Sequence, residues 1–145
     1  MLWLLILLIS WHLPAQGQSL RTTFPFSLTL ENLRNNTGQL CLAVFRSPTG
    51  FPDNSQAAAL QDCFPISNAP TLTLTLDLPY SLYAIAVFHD ENNNGQLDTG
   101  PFGIPREGFG FSNNPPIRFG APSFEESRIV FSPQTGGTTI QLRYF

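Results

Sequence analysis

The sequence predicts an all-β protein, in which a single antiparallel β-sandwich of about seven strands forms the folded domain. Three observations favour this fold class. Apolar residues alternate with polar ones over several stretches, β-branched and aromatic residues concentrate in those stretches, and clusters of Pro, Gly and Asn separate them. Helical periodicity is almost absent. We therefore expect an immunoglobulin-like or transthyretin-like sandwich that carries one long ordered loop.

The strands can be assigned in chain order from their patterns. Residues 24–33 and 71–78 alternate between apolar and polar side chains, which is typical of strands that bury one face. Residues 39–45 and 81–88 are apolar on both faces, as expected of central strands. Residues 56–63 are compatible with either one helical turn or a short strand. The predicted strands are 24–33, 39–45, 71–78, 81–88, 128–131 and 138–144.

The connection formed by residues 89–127 is too long for a simple turn. Structureless connections of this length inside a compact domain are usually functional or disordered. Phenylalanines distributed along this one provide anchors to the core, and glycines let the backbone bend between them. We therefore expect an ordered, omega-like loop. Its aromatic residues, including Phe109 and Phe111, are more simply explained by burial than by an exposed binding face.

The N-terminus has the pattern of an export signal. Residues 1–9 are continuously apolar, and Ala15-Gln16-Gly17 fits the small-x-small pattern of signal peptidase sites. No Lys or Arg precedes the apolar run, and the run is too short to span a bilayer. We expect residues 1–17 to be a signal peptide. Residues 18–145 would then form the mature domain, secreted or periplasmic, without a transmembrane span.

Two cysteines, Cys41 and Cys63, follow this leader. In an oxidising compartment, an even pair in a small domain favours a disulfide. The bond would close a loop of about twenty residues and contribute about 3 kcal/mol in the chain-entropy model. The alternative is two separate buried thiols, which pack as small apolar side chains.

The charge distribution argues against nucleic-acid binding. The chain has no Lys, and its seven basic residues are all Arg and are spread singly, so no basic stripe could neutralise a phosphate backbone. The net charge is −3, and six of the ten acidic residues lie between residues 90 and 126. Such clustering costs self-repulsion unless a cation or nearby arginines offset it.

Residues 90–98, D-E-N-N-N-G-Q-L-D, form the most informative motif. Oxygen-bearing residues recur at every second position, as a short loop requires to surround a hard cation such as Ca²⁺. Gly95 permits the sharp turn after the third ligand. These residues match positions 1, 3, 5, 7 and 9 of the twelve-residue calcium loop. The predicted ligands are Asp90, Asn92, Asn94, the carbonyl of Gln96, and Asp98.

The twelfth position of the loop is Pro101, which cannot supply the usual bidentate carboxylate. Glu107 is the candidate for the missing ligand, since it lies nine residues beyond Asp98 across a Gly- and Pro-rich return. A salt bridge to Arg106 or Arg118 explains Glu107 equally well. A metal-free turn is a further alternative for the whole motif, because Asn, Asp and Gly are common in polar turns.

Three strings carry a family resemblance. They are Y-A-I-A-V-F-H-D-E-N-N-N-G-Q-L-D, F-G-I-P-R-E-G-F-G-F-S-N-N and F-G-A-P-S-F-E-E-S, at residues 83–98, 102–114 and 119–127. In order and spacing they resemble the bacterial secreted family known as domain of unknown function 2141. The resemblance implies an exported β-sandwich domain without an established activity. The residues that match the family pattern include His89, Asp90, Asn92, Asn94, Gly95, Asp98, Arg106, Glu107, Phe111 and Ser112. The acidic loop is also similar to calcium loops in bacterial surface modules of transthyretin-like or Cna-B-like shape.

Three functional classes follow from these residues. We favour a binding or structural module of the cell envelope, in which Ca²⁺ supports shape and an envelope protein or glycan is the partner. A hydrolase or lyase would use His89, Asp90 and Glu107, with Ser112 as a possible nucleophile, but no G-x-S-x-G or H-E-x-x-H motif is present. His89 is better explained as a structural residue that holds Asp90 or a loop carbonyl.

A carbohydrate- or protein-binding module is the third class. It would use the aromatic residues of the long loop, with Phe109, Phe111, Arg106 and Ser112 as the neighbouring candidates. The only two tryptophans belong to the leader, so the aromatic platforms that sugar sites typically use are scarce. The sequence does not specify the partner or the oligomeric state.

Overall fold

The computed structural model describes residue 20 and residues 22–145, so the predicted signal peptide lies outside the described residues. The described part of the chain is mainly β-structure. Its strands are β1 (Phe24–Glu31), β2 (Gln39–Phe45), β3 (Leu60–Pro65), β4 (Leu72–Leu78), β5 (Ser81–Asp90), β6 (Phe109–Phe111), β7 (Arg128–Phe131) and β8 (Gly137–Gln141). The helical elements are two 3₁₀ turns, Ser55–Ala57 and Pro101–Gly103, and a four-residue α-helix, α1, at Phe124–Ser127.

The strands form two sheets. One has the order β4-β1-β8, and the other the order β3-β2-β5-β6, with β7 also paired to β5. Most pairs are antiparallel, but β1 and β8 are parallel, with Ser27 opposite Gly137 and Glu31 opposite Gln141. The expectation of about seven strands, all antiparallel, therefore needs correction. Eight strands are described, and the last one joins the smaller sheet in the parallel direction.

The two sheets enclose one hydrophobic core. Alternate residues of β1 (Phe26, Leu28 and Leu30) face alternate residues of β2 and β5, such as Leu40 and Ile85, and all of these are at most 1% exposed. Each such side chain contributes about 1.5–3 kcal/mol by leaving water. The alternation in the sequence thus identified the inward faces correctly, because side chains at every second position share one face of a strand.

The outer face of the larger sheet carries a second, smaller cluster. Ala43, Phe45 and Ala84 on this face are covered by Phe124 of α1 and by Phe51 from the loop between β2 and β3. The Phe51 ring packs edge-to-face against Phe45, with the ring centroids 5.3 Å apart. This second cover explains why β2 and β5 are apolar on both faces, whereas β1 and β4 alternate.

The stretch from residue 56 to residue 63, which the sequence left open between a helical turn and a strand, contains parts of both. A 3₁₀ turn ends at Ala57, and β3 begins at Leu60 and pairs with β2. This register places Cys63 directly opposite Cys41, with the Cα atoms 4.0 Å apart, and the two form the predicted disulfide.

The connection of residues 89–127 is not a single omega-like loop, because it contains secondary structure of its own. It contains β6, which pairs with β5 so that Phe88 faces Phe109 and Ala86 faces Phe111. The sequence did not predict β6, because three residues with a glycine at the centre form no recognisable strand pattern. Gly110 is required there because a Cβ would lie 2.6 Å from the Ile140 side chain of the other sheet.

Candidate functional site

The Asp90–Asp98 loop begins where β5 ends, and its first residue organises it. Asp90 is fully buried, and its carboxylate accepts hydrogen bonds from Asn94 N (3.0 Å), Gly95 N (2.8 Å) and the Gln39 side chain (2.8 Å). A buried carboxylate must be compensated in this way, since an unpaired charge out of water is very costly. Asp90 therefore fixes the turn from inside the fold.

The turn itself has the conformation that its residue types favour. Gly95 has a φ of 75°, in the left-handed region where glycine carries no steric penalty. Asn92 Oδ1 accepts from Asn94 N at 3.2 Å, and Asn94 Oδ1 accepts from Gln96 N at 2.9 Å. These are the local side-chain to backbone bonds that asparagines form in polar turns.

Asp98 closes the loop. Its two carboxylate oxygens accept from the amide groups of Asn92 (2.6 Å) and Asn94 (2.9 Å). Asp90, Asn92, Asn94 and Asp98 thus form one connected hydrogen-bond network. The Gln96 side chain is exposed and does not join it; only its backbone N–H does.

Glu107 reaches the same loop from the far side of the connection. It is 5% exposed, and its carboxylate accepts from Glu91 N (2.9 Å) and from Asp98 N (3.0 Å). Arg106 N also donates to the Asp98 carbonyl at 2.8 Å, while the Arg106 side chain is exposed. Within the described residues the ion pairs are Arg34–Glu91 and Arg128–Glu125, so Glu107 pairs with neither Arg106 nor Arg118.

The site is strongly acidic. Asp90, Asp98 and Glu107 are all held by one hydrogen-bonded loop, and none of their carboxylates forms a salt bridge with an arginine among the residues described. In the same part of the chain, no three His, Cys, Asp or Glu side chains converge closely enough to hold a metal ion by themselves. A cation bound here would therefore also need the amide oxygens of Asn92 and Asn94, which suit a hard ion such as Ca²⁺. Their amide groups would have to rotate away from the present bonds to Asp98.

The His89 side chain lies on the opposite face of β5 from that of Asp90, and it is fully buried. Its Nε2 lies 2.6 Å from the Thr37 carbonyl and its Nδ1 lies 2.8 Å from the Tyr144 hydroxyl. Because a carbonyl oxygen only accepts, Nε2 carries the hydrogen, and in the neutral imidazole Nδ1 accepts from Tyr144. The His89 imidazole thus bonds to the Thr37 carbonyl, in the connection between β1 and β2, and to Tyr144. Contrary to the expectation, it bonds neither to the Asp90 side chain nor to a carbonyl of the 89–127 connection.

Tyr144 is a site residue that the sequence reasoning missed. Besides its bond to His89, its ring lies under the Arg34 guanidinium, 4.6 Å from the ring centroid, and Arg34 Nε donates to Glu91 at 2.8 Å. Burial raises the pKa of Tyr144 above its ordinary value of 10.0. Tyr144 lies near the C-terminus, 55 residues from His89, so no local pattern could indicate this contact.

The catalytic candidates are not brought together. Ser112 is buried beside β5, where its hydroxyl donates to the Ser127 carbonyl (2.5 Å) and accepts from Ile85 N (2.8 Å). The His89 imidazole faces Thr37 and Tyr144, whereas the Asp90 carboxylate faces the loop. A hydrolytic site requires nucleophile and base within hydrogen-bond reach, and these groups instead bond to structural partners.

The two candidate aromatics line an open groove on the outer face of the larger sheet. Phe109 is 6% and Phe111 9% exposed, so both are largely buried, as expected. Phe102 and Phe119 of the same connection are fully exposed, so the expectation of burial is wrong for these two. The groove has a volume of ≈ 1220 Å³, and the Cys41–Cys63 disulfide, Ala86 and Phe88 also line it. We call this feature the outer groove.

The fold and the site define a β-structured module with an acidic, asparagine-rich loop at one end of its larger sheet. The chain belongs to the bacterial family DUF2141, described as an uncharacterized protein conserved in bacteria, whose model matches residues 28–141. No curated protein and no solved structure matches the chain. No helix in the described part of the chain is long and apolar enough to cross a membrane.

Proposed function

We propose that this chain is an exported module of the bacterial cell envelope that binds a partner and uses Ca²⁺ to hold its shape. The ion would be bound by Asp90, Asn92, Asn94, the Gln96 carbonyl and Asp98, with Glu107 as a further ligand. The observation that carries the proposal is that one hydrogen-bonded loop holds the carboxylates of Asp90, Asp98 and Glu107 without an arginine partner among the described residues. Like charges on one loop repel one another, and a divalent cation would reduce that cost.

The ion would act on structure and not on chemistry. Glu107 already ties the beginning of the connection to its return, through Glu91 N and Asp98 N. A cation shared by Asp90 and Asp98 would strengthen the same closure, and so would order residues 89–127 as a unit. The envelope location is supported by the leader-like residues 1–17 and by the Cys41–Cys63 disulfide, which persists in oxidising compartments. An immunoglobulin-like or transthyretin-like sandwich is the finer fold assignment that we propose.

Thermal unfolding in chelator and then in excess Ca²⁺ tests the cation site. Binding to the folded state alone raises the free energy of unfolding by about 2.7 kcal/mol when the free ion exceeds the dissociation constant a hundredfold. Asp98→Asn is the informative variant, because it removes one charge while it keeps the size of the side chain. Its amide keeps only one of the two hydrogen bonds that Asp98 accepts, so it should melt somewhat below the wild type in chelator, and it should lose most of the Ca²⁺ response.

Glu125→Ala is the matched control, since Glu125 is exposed and lies on α1, outside the loop. It should keep the full Ca²⁺ response. If the wild type melts at the same temperature in chelator and in Ca²⁺, residues 90–98 form a metal-free polar turn and the proposal is wrong.

A further inference from the structure

Asn94 and Gly95 lie in the exposed turn of the Asp90–Asp98 loop. Asn94 is the only asparagine in the sequence that a glycine follows. Both residues are exposed, and a Cβ added at Gly95 would meet nothing within 4 Å. Glycine has no side chain to shield its own nitrogen or to restrict its backbone. Asparagine is a chemically labile residue in proteins, and here it stands beside an unshielded backbone nitrogen, where water has access.

We propose that Asn94 is a deamidation site, and that the folded loop keeps it intact until the loop opens. In this reaction the Gly95 nitrogen attacks Asn94 Cγ and forms a succinimide ring. The bond between Cγ and Nδ2 breaks, the proton of the Gly95 nitrogen passes through water to the leaving group, and ammonia departs. Water then opens the ring at one of its two carbonyl carbons, which gives aspartate or isoaspartate at position 94. Water is the only co-reactant.

Three hydrogen bonds oppose this reaction in the folded loop. Gly95 N donates to the buried carboxylate of Asp90 at 2.8 Å, and ring closure has to break this bond. Asn94 Oδ1 accepts from Gln96 N at 2.9 Å, and Asn94 Nδ2 donates to Asp98 Oδ1 at 2.9 Å. Bonds on both sides of the side-chain amide fix its orientation, so Cγ cannot turn freely toward the attacking nitrogen. The reaction therefore waits for local opening of the loop.

The strength of these bonds sets the expected protection. Three hydrogen bonds of ordinary net strength correspond to a factor of about one hundred in the fraction of open loop. The product would also weaken the loop, because a carboxylate at position 94 cannot donate to Asp98 and is repelled by it. The reaction needs no cation, so the inference goes beyond the proposed Ca²⁺ site and can be tested in chelator.

Peptide mapping by mass spectrometry during incubation of the purified protein in chelator tests the proposal. A carboxyl group should replace the amide of Asn94, with isoaspartate among the products. The reaction should be about a hundredfold slower in the folded protein than in the same protein unfolded in denaturant. Asn114 is the internal control and should stay intact in both states, because the nitrogen of Pro115 has no hydrogen and cannot close the ring. Equal rates at Asn94 in the two states, or an Asn94 that stays intact in denaturant, overturn the proposal.

Asp98→Ala tests the contribution of the side-chain bond. It frees the Asn94 amide and leaves the bond from Gly95 N to Asp90 in place. Asn94 should therefore react about tenfold faster than in the wild type when both are folded, and at the wild-type rate in denaturant. Circular dichroism in the same buffer checks that the variant is folded. Glu125→Ala, outside the loop, is the matched control and should react at the wild-type rate in both states.

An unchanged rate in folded Asp98→Ala would contradict the assigned protection. The comparison of the folded and unfolded wild type decides the proposal without any variant. Asn94→Gln identifies the reacting side chain, because its additional methylene requires a larger ring that closes far more slowly. This variant should release almost no ammonia from position 94 in denaturant. Release from position 94 at the wild-type rate would show that the reaction does not pass through the succinimide, and would overturn the proposal.

Discussion

The acidic loop and the outer groove lie next to each other on the larger sheet and differ in how their groups are satisfied. In the loop, the Asp90, Asp98 and Glu107 carboxylates accept hydrogen bonds from the chain itself, yet their charges lack an arginine partner among the described residues. In the groove, apolar side chains such as Phe102 and Phe119 are left in water. The loop therefore concentrates negative charge that we propose an ion compensates, whereas the groove exposes apolar surface.

The Cys41–Cys63 disulfide lies where the two regions meet. Cys41 Sγ is 4.0 Å from Asp90 Oδ2, and both cysteines line the outer groove. Strand β2 thus supports the base of the acidic loop through Gln39 and the floor of the groove through Cys41 and Ala43. Because β2 contacts both regions, substitutions can show whether a loss of stability or of binding affects one region or both.

The largest effect should come from Asp90→Ala. It removes three hydrogen bonds to a buried carboxylate and leaves the donors of Asn94 and Gly95 without a partner, so we expect a loss of about 4 kcal/mol even in chelator. Denaturant unfolding of the variant and of the wild type measures this difference. Asp77→Ala, at an exposed position on β4, is the control and should change stability by less than about 0.5 kcal/mol. A loss as small as that of the control would mean that Asp90 does not organise the loop.

The disulfide should have the next largest effect, and it should act on both regions. The bond closes a loop with a sequence separation of 22 residues, so the double variant Cys41→Ala/Cys63→Ala should lose about 3 kcal/mol. If the bond supports the acidic loop as well as the groove, the variant should also bind Ca²⁺ more weakly, which titration calorimetry would measure. Unchanged Ca²⁺ affinity together with the stability loss would show that the two regions are independent.

The smallest effect should come from Tyr144→Phe, which tests the contact between Tyr144 and His89, the residue that precedes the acidic loop. The variant loses the hydrogen bond to His89 Nδ1, which is worth about 1 kcal/mol. Burial raises the pKa of Tyr144 in the folded state, so its contribution to stability is complete below the ordinary value of 10.0 and is lost as pH rises through the raised pKa.

The pH dependence gives Tyr144→Phe a second readout. The stability of the wild type should therefore fall above about pH 10, and Tyr144→Phe should reduce the slope of that fall. Burial also raises the pKa of Tyr83, so part of the slope should remain in the variant. Denaturant unfolding from about pH 9 to about pH 11 measures both slopes. Equal slopes in variant and wild type would mean that the raised pKa of Tyr144 does not cause the fall in stability.

Features that depend on neighbouring residues could be predicted from the sequence alone. Alternation identified the inward faces of β1 and β4, and double-sided apolar stretches identified β2 and β5 as central, because side-chain direction alternates along any strand. The asparagine spacing and Gly95 identified the turn after Asp90, since these residues bond to backbone groups only two to five positions away. These contacts are local, so a local pattern reports them.

Features that join distant segments became visible only in the folded structure. The parallel pairing of β1 with β8, the strand β6 inside the long connection, and the bond between His89 and Tyr144 all bring together residues far apart in the chain. Glu107 likewise bonds to the distant backbone of Glu91 and Asp98, and residues from both edges of the larger sheet line the outer groove. The physical reason is that such contacts depend on how the sheets pack and which edges remain free, and residue spacing along the chain does not encode either.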